Sequence, residues 1–185
     1  MIEVEKKFQP TKEALDSLLK DAEFIALKIN HDIYYDYPDY RLLKEEIRFR
    51  LRNNKFELKI KKKKGVSEEI ENEEEIKKYF KTEVSLKDFI SKNLIPIMEY
   101  KVTRREYKKG EFTIDLDEMD FGYNMCEIEI LVDSEDKIKE AEEKIIHLAK
   151  EHNIEHKKMQ SKRGEYLKRL KPEVYDFLRG KGDVE

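Results

Sequence analysis

Charged side chains alternate with apolar ones in several short stretches of this sequence. In 47–52, IRFRLR, every second residue is an arginine, and in 112–117, FTIDLD, the alternating charges are aspartates. The stretch 126–130, CEIEI, carries glutamates, and 2–8, IEVEKKF, carries Glu3, Glu5 and Lys7 at alternate positions. A solvated strand face usually mixes polar residue types, and like charges two apart repel each other. Segregation of charge sign by strand therefore indicates that these faces have charged partners.

Faces of this kind would be very costly to bury in a dry interior. They are consistent with an interior that binds a polyanion together with divalent cations. Guanidinium and ammonium groups donate to phosphate oxygens. Carboxylates are the oxygen ligands that Mg²⁺ and Mn²⁺ prefer. The pattern predicts a β-barrel whose charged faces point inward and whose apolar faces lie outward under helices.

Period-two alternation predicts the strands that position these groups. Asn53-Asn54 and Lys109-Gly110 are suited to hairpin turns. Together they predict an α+β fold, an eight-stranded antiparallel β-barrel with helices packed on the outside, as a single domain covering 1–185. The predicted strands are 2–8, 26–36, 46–53, 55–62, 66–71, 96–108, 111–118 and 124–133.

Helical periodicity predicts four amphipathic segments. These are 11–24, with Thr11 as N-cap, two short helices within 73–91, 134–152, and 163–179 with a break before Pro172. The run 61–64, KKKK, followed by glycine, is the best candidate for a mobile loop.

Composition excludes several classes of protein. Lys+Arg 39 against Asp+Glu 42 gives a net charge of -3, whereas a general nucleic-acid binder usually has a basic excess. A single cysteine excludes an internal disulfide framework and fits a reducing compartment. There is no apolar run long enough to span a bilayer, and the N-terminus is charged where a signal peptide would be apolar. We therefore expect a cytoplasmic protein that binds neither nucleic acid nor membrane.

Other catalytic arrangements are weakly represented. Cys126 lies on an apolar strand face, which predicts a core thiol rather than a nucleophile. His152 and His156 are four residues apart near a predicted helix end, where surface histidines are common, so we do not expect a zinc site. The six glycines are scattered and form no phosphate-binding loop.

The order of the charged motifs resembles that of the CYTH superfamily, the triphosphate tunnel metalloenzymes. Glu3-Val4-Glu5-Lys6-Lys7 is similar to its Glu-x-Glu-x-Lys signature, and the likeness continues through the chain to Lys162. Within the superfamily, the stretches IEVEKKF, IYYDYPDYRLL, IDLDEMDFGY and EYLKRLKPEVYDFL resemble the thiamine triphosphatases.

The resemblance implies a tunnel barrel that binds a small-molecule triphosphate with Mg²⁺ or Mn²⁺. It implies phosphate binding by six basic side chains, with Tyr34 near the phosphate: Lys7, Arg50, Arg52, Lys59, Arg105 and Lys162. It implies metal binding by the acidic side chains: Glu3, Glu5, Asp115, Asp117, Glu127 and Glu129.

Arg48 is a departure from the thiamine enzymes. Those enzymes have an aromatic residue at this position, which stacks on the cationic thiazolium ring. An arginine facing that cation would be repelled, and it suits a further phosphate oxygen or an anionic or neutral group better. The sequence thus predicts hydrolysis of the terminal phosphoanhydride of either thiamine triphosphate or inorganic tripolyphosphate.

Phosphoryl transfer depends on positioning and on charge neutralisation. Glu5 or Glu129 would orient the attacking water, and Arg52 and Lys59 would stabilise charge in the transition state. Two alternatives remain open: an adenylate cyclase of the same fold, and a non-catalytic module that binds polyphosphate or nucleotide. The oligomeric state is expected to be monomer or homodimer.

Overall fold

The structure is a computed structural model, which describes residues 1–61, 67–157 and 159–179. Eight strands form one sheet in the order β1-β8-β7-β6-β2-β3-β4-β5. Pairing is antiparallel in β1–β8, β7–β8, β6–β7, β2–β3, β3–β4 and β4–β5. The strands are β1 Ile2–Phe8, β2 Glu23–Asp36, β3 Ile47–Arg52, β4 Lys55–Lys61, β5 Ser67–Ile70, β6 Ile95–Lys109, β7 Phe112–Met119 and β8 Tyr123–Val132. The predicted α+β class and its eight antiparallel strands are confirmed.

Seven α-helices accompany the sheet within the described ranges. They are α1 Lys12–Leu19, α2 Arg41–Lys44, α3 Glu73–Phe80, α4 Leu86–Asn93, α5 Ile138–Glu151, α6 Lys162–Leu170 and α7 Pro172–Arg179, with a 3₁₀ turn at Glu135–Lys137 before α5. The two short helices within 73–91 and the break before Pro172 are confirmed. The predicted helix 11–24 was too long, because Asp21 adopts a positive φ and β2 begins at Glu23. The loop predicted at 61–64 lies, after Lys61, outside the described residues.

The chain divides into two compact units, Met1–Ile29 with Val102–Met159 (unit 1) and Asn30–Lys101 with Gln160–Glu185 (unit 2). In unit 1, α1 and α5 pack on the apolar faces of β1, β7 and β8, where Phe8, Ile114 and Ile128 are completely buried. In unit 2, α3 and α4 cover the apolar faces of β3 and β4 around Phe49 and Leu58. In each unit the apolar strand faces lie under helices, as the alternation predicts.

The predicted hairpin turns are present. Asn53 and Asn54 both have positive φ, 47° and 68°, as a tight two-residue turn between β3 and β4 requires. Gly110, at φ 59°, turns the chain from β6 into β7. These turns fix the strand registers, and the registers decide which charged side chains meet.

Candidate functional site

The basic face of unit 2 is built on β3. Arg48, Arg50 and Arg52 share one face of this strand, because side chains alternate along it. Across the β3–β4 pair, Arg48 lies opposite Lys59 and Arg50 lies opposite Glu57. Predicted phosphate-binding residues from two strands are thus brought together on one face.

Asp32, which the sequence analysis did not select, anchors Arg52. It lies directly opposite Arg52 in the β2–β3 pair and is only 1% exposed. Arg52 donates from Nε and Nη2 to the two carboxylate oxygens of Asp32, each at 2.6 Å. This bidentate interaction fixes the plane of the guanidinium, whereas a single hydrogen bond would leave the guanidinium free to rotate.

Arg50 has a second set of partners. It donates from Nε to Glu57 Oε2 at 2.6 Å and from Nη1 to the Tyr34 hydroxyl at 3.1 Å, and it lies 3.5 Å from Asp32. Burial lowers the pKa of Arg50, but the charges of Tyr34, Asp32 and Glu57 outweigh burial and raise it above the usual range. Arg50 is therefore a fixed cation, held on both sides.

Tyr34 is buried, and its hydroxyl joins three partners. It accepts from Arg50 and from the Tyr100 hydroxyl, at 3.1 and 3.3 Å, and donates to Asp32 Oδ2 at 3.5 Å. Burial, followed by the charge of Tyr34, raises the pKa of Tyr100 well above its usual value. Tyr34, which was predicted to lie near the phosphate, thus contacts Arg50, and it also contacts a second tyrosine that sequence reasoning missed.

Helix α6 brings two more cations into unit 2. Lys162, a predicted phosphate ligand, is its first residue, after the N-cap Ser161, whose hydroxyl accepts from the Gly164 backbone N–H at 3.1 Å. Arg163 follows, and its Nη1 is buried without a hydrogen-bond acceptor among the described residues. Arg163 carries no alternation signal because it is in a helix, and the sequence analysis did not select it.

The acidic face of unit 1 combines three strands. Glu5 lies opposite Glu129 in the β1–β8 pair, and Asp115 lies opposite Glu127 in the β7–β8 pair. Asp115, Asp117 and Glu127 are buried, whereas Glu3 and Glu5 are exposed. The structure therefore gathers on one face all six predicted metal ligands: Glu3, Glu5, Asp115, Asp117, Glu127 and Glu129.

Arg104 lies among these acids. It donates to both oxygens of Asp117, each at 2.7 Å, and to Glu127 Oε2 at 2.7 Å, and its Nη1 is paired with Asp115 Oδ2. Burial lowers the pKa of Arg104, but these three carboxylates, Asp117 most strongly, raise it above the usual range. One guanidinium thus compensates much of the charge of three buried acids.

Two predicted phosphate ligands in unit 1 are each paired with carboxylates. Arg105 lies on the opposite face of β6 from Arg104, has a side chain 40% exposed, and donates to Glu118 at 2.6 Å. The structure therefore places Arg104, and not the predicted Arg105, on the charged face. Lys7 is on that face, but it is paired with Glu5 and lies 3.5 Å from Glu127.

The acidic face remains undercompensated. Burial, partly offset by Arg104, raises the pKa of Asp115 to about 6. Burial and then the charges of Glu3 and Asp115 raise the pKa of Glu129 to about 7. Asp115 Oδ1 is buried and has no hydrogen-bond partner in the part of the chain that the structure describes. An orphaned carboxylate oxygen among crowded acids fits a hard divalent cation.

The side chains of residues 1–61, 67–157 and 159–179 are not, in this arrangement, grouped in threes suited to hold a metal ion. Arg104 lies between Asp115, Asp117 and Glu127 and bonds to each of them. The residue types and the orphaned oxygen are thus suitable for a metal, while the guanidinium occupies the centre of the acidic set.

Cys126 lies in the core of unit 1, and His152 and His156 each contact another side chain of that unit. Cys126 is buried on the apolar face of β8, and burial raises the pKa of its thiol to about 12, which confirms the prediction of a core thiol. His152 Nδ1 is hydrogen-bonded to the Ser17 hydroxyl at 2.8 Å, and the ring of His156 packs edge-on against Phe8.

The sequence matches the CYTH domain family over residues 1–162. The chain therefore belongs to the CYTH domain family. None of the curated proteins compared with the sequence is similar enough to count as a match.

Solved structures share the fold. The PH1819 protein of Pyrococcus horikoshii OT3 is 27% identical, with a TM-score of 0.63 over 86% of this chain and 94% of its own. A candidate adenylate cyclase from Vibrio parahaemolyticus is 20% identical, with a TM-score of 0.65, and the match covers 91% of this chain and 98% of that protein. HpAC1 from Hippeastrum, a candidate adenylyl cyclase described as having a dominant triphosphatase activity, is 18% identical, with a TM-score of 0.57 over 90% and 95%.

None of the helices in the described ranges has the length and the apolar character to cross a membrane.

Proposed function

We propose that this chain hydrolyses the terminal phosphoanhydride of a triphosphate, inorganic tripolyphosphate or thiamine triphosphate, with Mg²⁺ or Mn²⁺. The observation that carries the proposal is the charged face of β3, where Arg50 and Arg52 are held in fixed orientations by Asp32 and Glu57. Membership of the CYTH family supports it. So does the triphosphatase activity described for HpAC1, a protein of the same fold.

The arginines of unit 2 bind phosphate in this proposal. A guanidinium has five N–H donors, more than one carboxylate can accept. Arg52 can therefore bond to Asp32 and still donate to a phosphate oxygen. Lys59 and Lys162 add ammonium charges, and Tyr34 keeps Arg50 in place. Because the guanidinium groups are already oriented, little reorganisation is needed when charge develops on the phosphate.

The acidic face of unit 1 holds the cation, with Glu3, Glu5, Asp115, Glu127 and Glu129 as ligands and Asp117 assisting. A cation held by these residues would supply positive charge for phosphoryl transfer. Glu129 or Glu5 would orient the attacking water. We assign to Arg104 the contribution that the sequence analysis gave to Arg105, while Lys7 balances Glu5 and Glu127.

Adenylate cyclase activity is the second candidate function, and the description of the Vibrio protein favours it. In that reaction the 3′-hydroxyl of ATP would replace water as the nucleophile. A non-catalytic binding module is the third. The acidic face argues against it, because a pure anion binder has no use for a cluster of carboxylates whose pKa values are raised. We further propose a cytoplasmic, single-domain monomer or homodimer, in keeping with the single buried cysteine.

A phosphate-release panel tests the proposal. Tripolyphosphate, thiamine triphosphate, ATP and GTP are compared with Mg²⁺ and with Mn²⁺, using the wild type, Arg52→Ala, and Arg169→Ala as the control. Arg169 is an exposed residue of α6 that pairs with Glu165 at 2.7 Å. We expect metal-dependent release that falls about 10²–10³-fold in Arg52→Ala and is unchanged in Arg169→Ala. Equal slow release from all four compounds in all three proteins would refute the site, and cyclic AMP from ATP would favour the cyclase.

A further inference from the structure

Arg163 is a partly buried cation whose Nη1 atom has no acceptor within the described part of the fold. It lies in the first turn of α6, and its Nη1 is excluded from solvent with no acceptor in hydrogen-bond range among the residues the structure describes. A guanidinium N–H removed from water without an acceptor carries a substantial free-energy penalty. Native proteins rarely retain such a group without a compensating contact.

The charge that affects Arg163 most strongly is a second cation, Arg48. Burial and then the positive charge of Arg48 lower the pKa of Arg163 to about 10, against smaller opposite effects of Tyr34, Tyr100 and Glu46. Arg163 still carries its proton at neutral pH. Arg48 lies opposite Lys59 on the neighbouring strand, so a third cation adjoins the pair. Lys59 is only 3.5 Å from Glu69, and it is the one member with a carboxylate in ion-pair range among the described residues.

Repulsion between Arg48 and Arg163 favours their separation, yet the fold holds both in place. Arg48 is fixed by the ladder of β3, and Arg163 by a helix whose N-cap bond is formed. A bound anion would relieve the repulsion and supply the missing acceptor for Nη1. A cationic group at the same place would add to the repulsion.

The position of this cluster relates it to the arginines already described. Arg48 and Arg50 lie on the same face of β3, two residues apart, which is about 7 Å along a strand. A chain of linked phosphates extends over such a distance. A ligand held by Arg50 and Arg52 would therefore present its next group to Arg48 and Arg163.

We propose that Arg163, with Arg48 and Lys59, forms an anion subsite that selects an inorganic polyphosphate of three or more phosphates over the triphosphate ester of an organic cation. The selection rests on the proposed function, because it names the substrate class of the same site. The anion subsite itself is a binding property and can be measured without turnover.

Calorimetric titration in metal-free buffer measures the subsite directly. Inorganic tripolyphosphate and thiamine triphosphate are each titrated into the wild type, Arg163→Met, Arg163→Lys and the control Arg169→Met. Methionine removes the charge while keeping an unbranched side chain of similar length. We expect Arg163→Met to weaken the binding of tripolyphosphate about 10- to 100-fold. Arg163→Lys should weaken this binding less. Thiamine triphosphate should be unchanged or bound more tightly, and Arg169→Met should match the wild type with both.

Two results would overturn the inference. In one, Arg163→Met binds tripolyphosphate as the wild type does. In the other, the variant loses affinity for both compounds by the same factor, which would make Arg163 a general phosphate contact. If circular dichroism shows that Arg163→Met does not fold, Arg48→Met, on a partly exposed strand position, decides by the same comparison. If the wild type hydrolyses no triphosphate but Arg163→Met selectively loses affinity for tripolyphosphate, the proposed function is refuted and the anion subsite stands.

Discussion

Asp32 and Arg52 lie directly opposite each other on β2 and β3 and share two hydrogen bonds of 2.6 Å. Because Asp32 also lies 3.5 Å from Arg50, one buried carboxylate orients two of the arginines proposed to bind phosphate. Asp32 would not touch the substrate; it is a positioning residue.

The variant Asp32→Asn should therefore reduce kcat/KM for the preferred triphosphate. Asparagine has one acceptor oxygen where the carboxylate has two, so one of the two Arg52 N–H groups would face an NH₂ donor. Misplaced guanidinium groups cost about 10- to 100-fold in rate. Asp39→Asn is the matched control, because Asp39 makes an exposed pair with Arg41 at 3.0 Å. Full activity in Asp32→Asn would show that Arg50 and Arg52 do not need this anchor.

Arg104 and Arg105 are adjacent in the sequence but lie on opposite faces of β6, so the effects of replacing each of them can be compared directly. Arg104→Met leaves Asp115, Asp117 and Glu127 without their common cation. It should lower the free energy of unfolding by about 3–5 kcal/mol in metal-free buffer at pH 7.5. Arg105→Met removes an exposed pair and should cost no more than about 1 kcal/mol. Urea denaturation measures both.

Addition of Mn²⁺ extends this comparison. A divalent cation should restore part of the stability lost in Arg104→Met, because it neutralises the same carboxylates. Equal losses in the two variants, or no response of Arg104→Met to Mn²⁺, would contradict the assignment of Arg104 and of the acidic face.

The acidic face should make metal-free stability depend on pH. The folded-state pKa values of Asp115, about 6, and Glu129, about 7, are above the ordinary values of 3.8 and 4.5. Between these limits the folded protein binds more protons than the unfolded chain, so the contribution of these groups to stability falls as pH rises from about 4 to 7. Thermal unfolding from pH 4.5 to 8 should show this fall.

Glu129→Gln tests the source of that dependence. The variant should flatten the fall in Tm, and each kcal/mol is worth about 2–4 °C in a chain of this size. Glu135→Gln, in an exposed turn, is the control. An unaltered slope in Glu129→Gln would assign the dependence to other groups.

Cys126 should be inert while the protein is folded. Its thiol is buried, and its pKa of about 12 leaves almost no thiolate at pH 8. Iodoacetamide should modify it only in denaturant, as followed by mass spectrometry. Rapid alkylation of the native protein would show that the apolar face of β8 opens readily.

Much of the fold follows from the two-residue period of the sequence. The bounds of β1 match the prediction, and those of β3 and β8 differ by one residue at each end, because alternating charge marks them clearly. Helix α2 was missed. It has four residues, too few for a helical period, and it depends on Asp36, which accepts from the backbone N–H groups of Leu42 and Leu43 at 2.9 Å.

The charged faces were predictable, whereas the choice within them was not. Adjacent strand residues point to opposite faces, so 103–105 (TRR) predicts one inward arginine without deciding which. The β6–β7 register decides it by placing Arg104 opposite Asp117. Asp32 lay outside the acidic strands, and Arg163 follows Lys162 on a helix, where a step of one residue turns the side chain by about 100°. Such relationships depend on tertiary packing, which a local pattern does not contain.

The tyrosine pair of unit 2 has a consequence for Asp32. A phenol hydroxyl has a single proton, and Tyr100 directs its proton to Tyr34 while Tyr34 directs its own to Asp32. The dipoles of both hydroxyls therefore point the same way, toward the carboxylate. Buried phenols thus perform for this anion the task that a hydration shell performs in bulk water. Asp32, out of contact with solvent, thus has donors on its tyrosine side as well as on its arginine side, and it stays beside the arginines whether or not a ligand is bound.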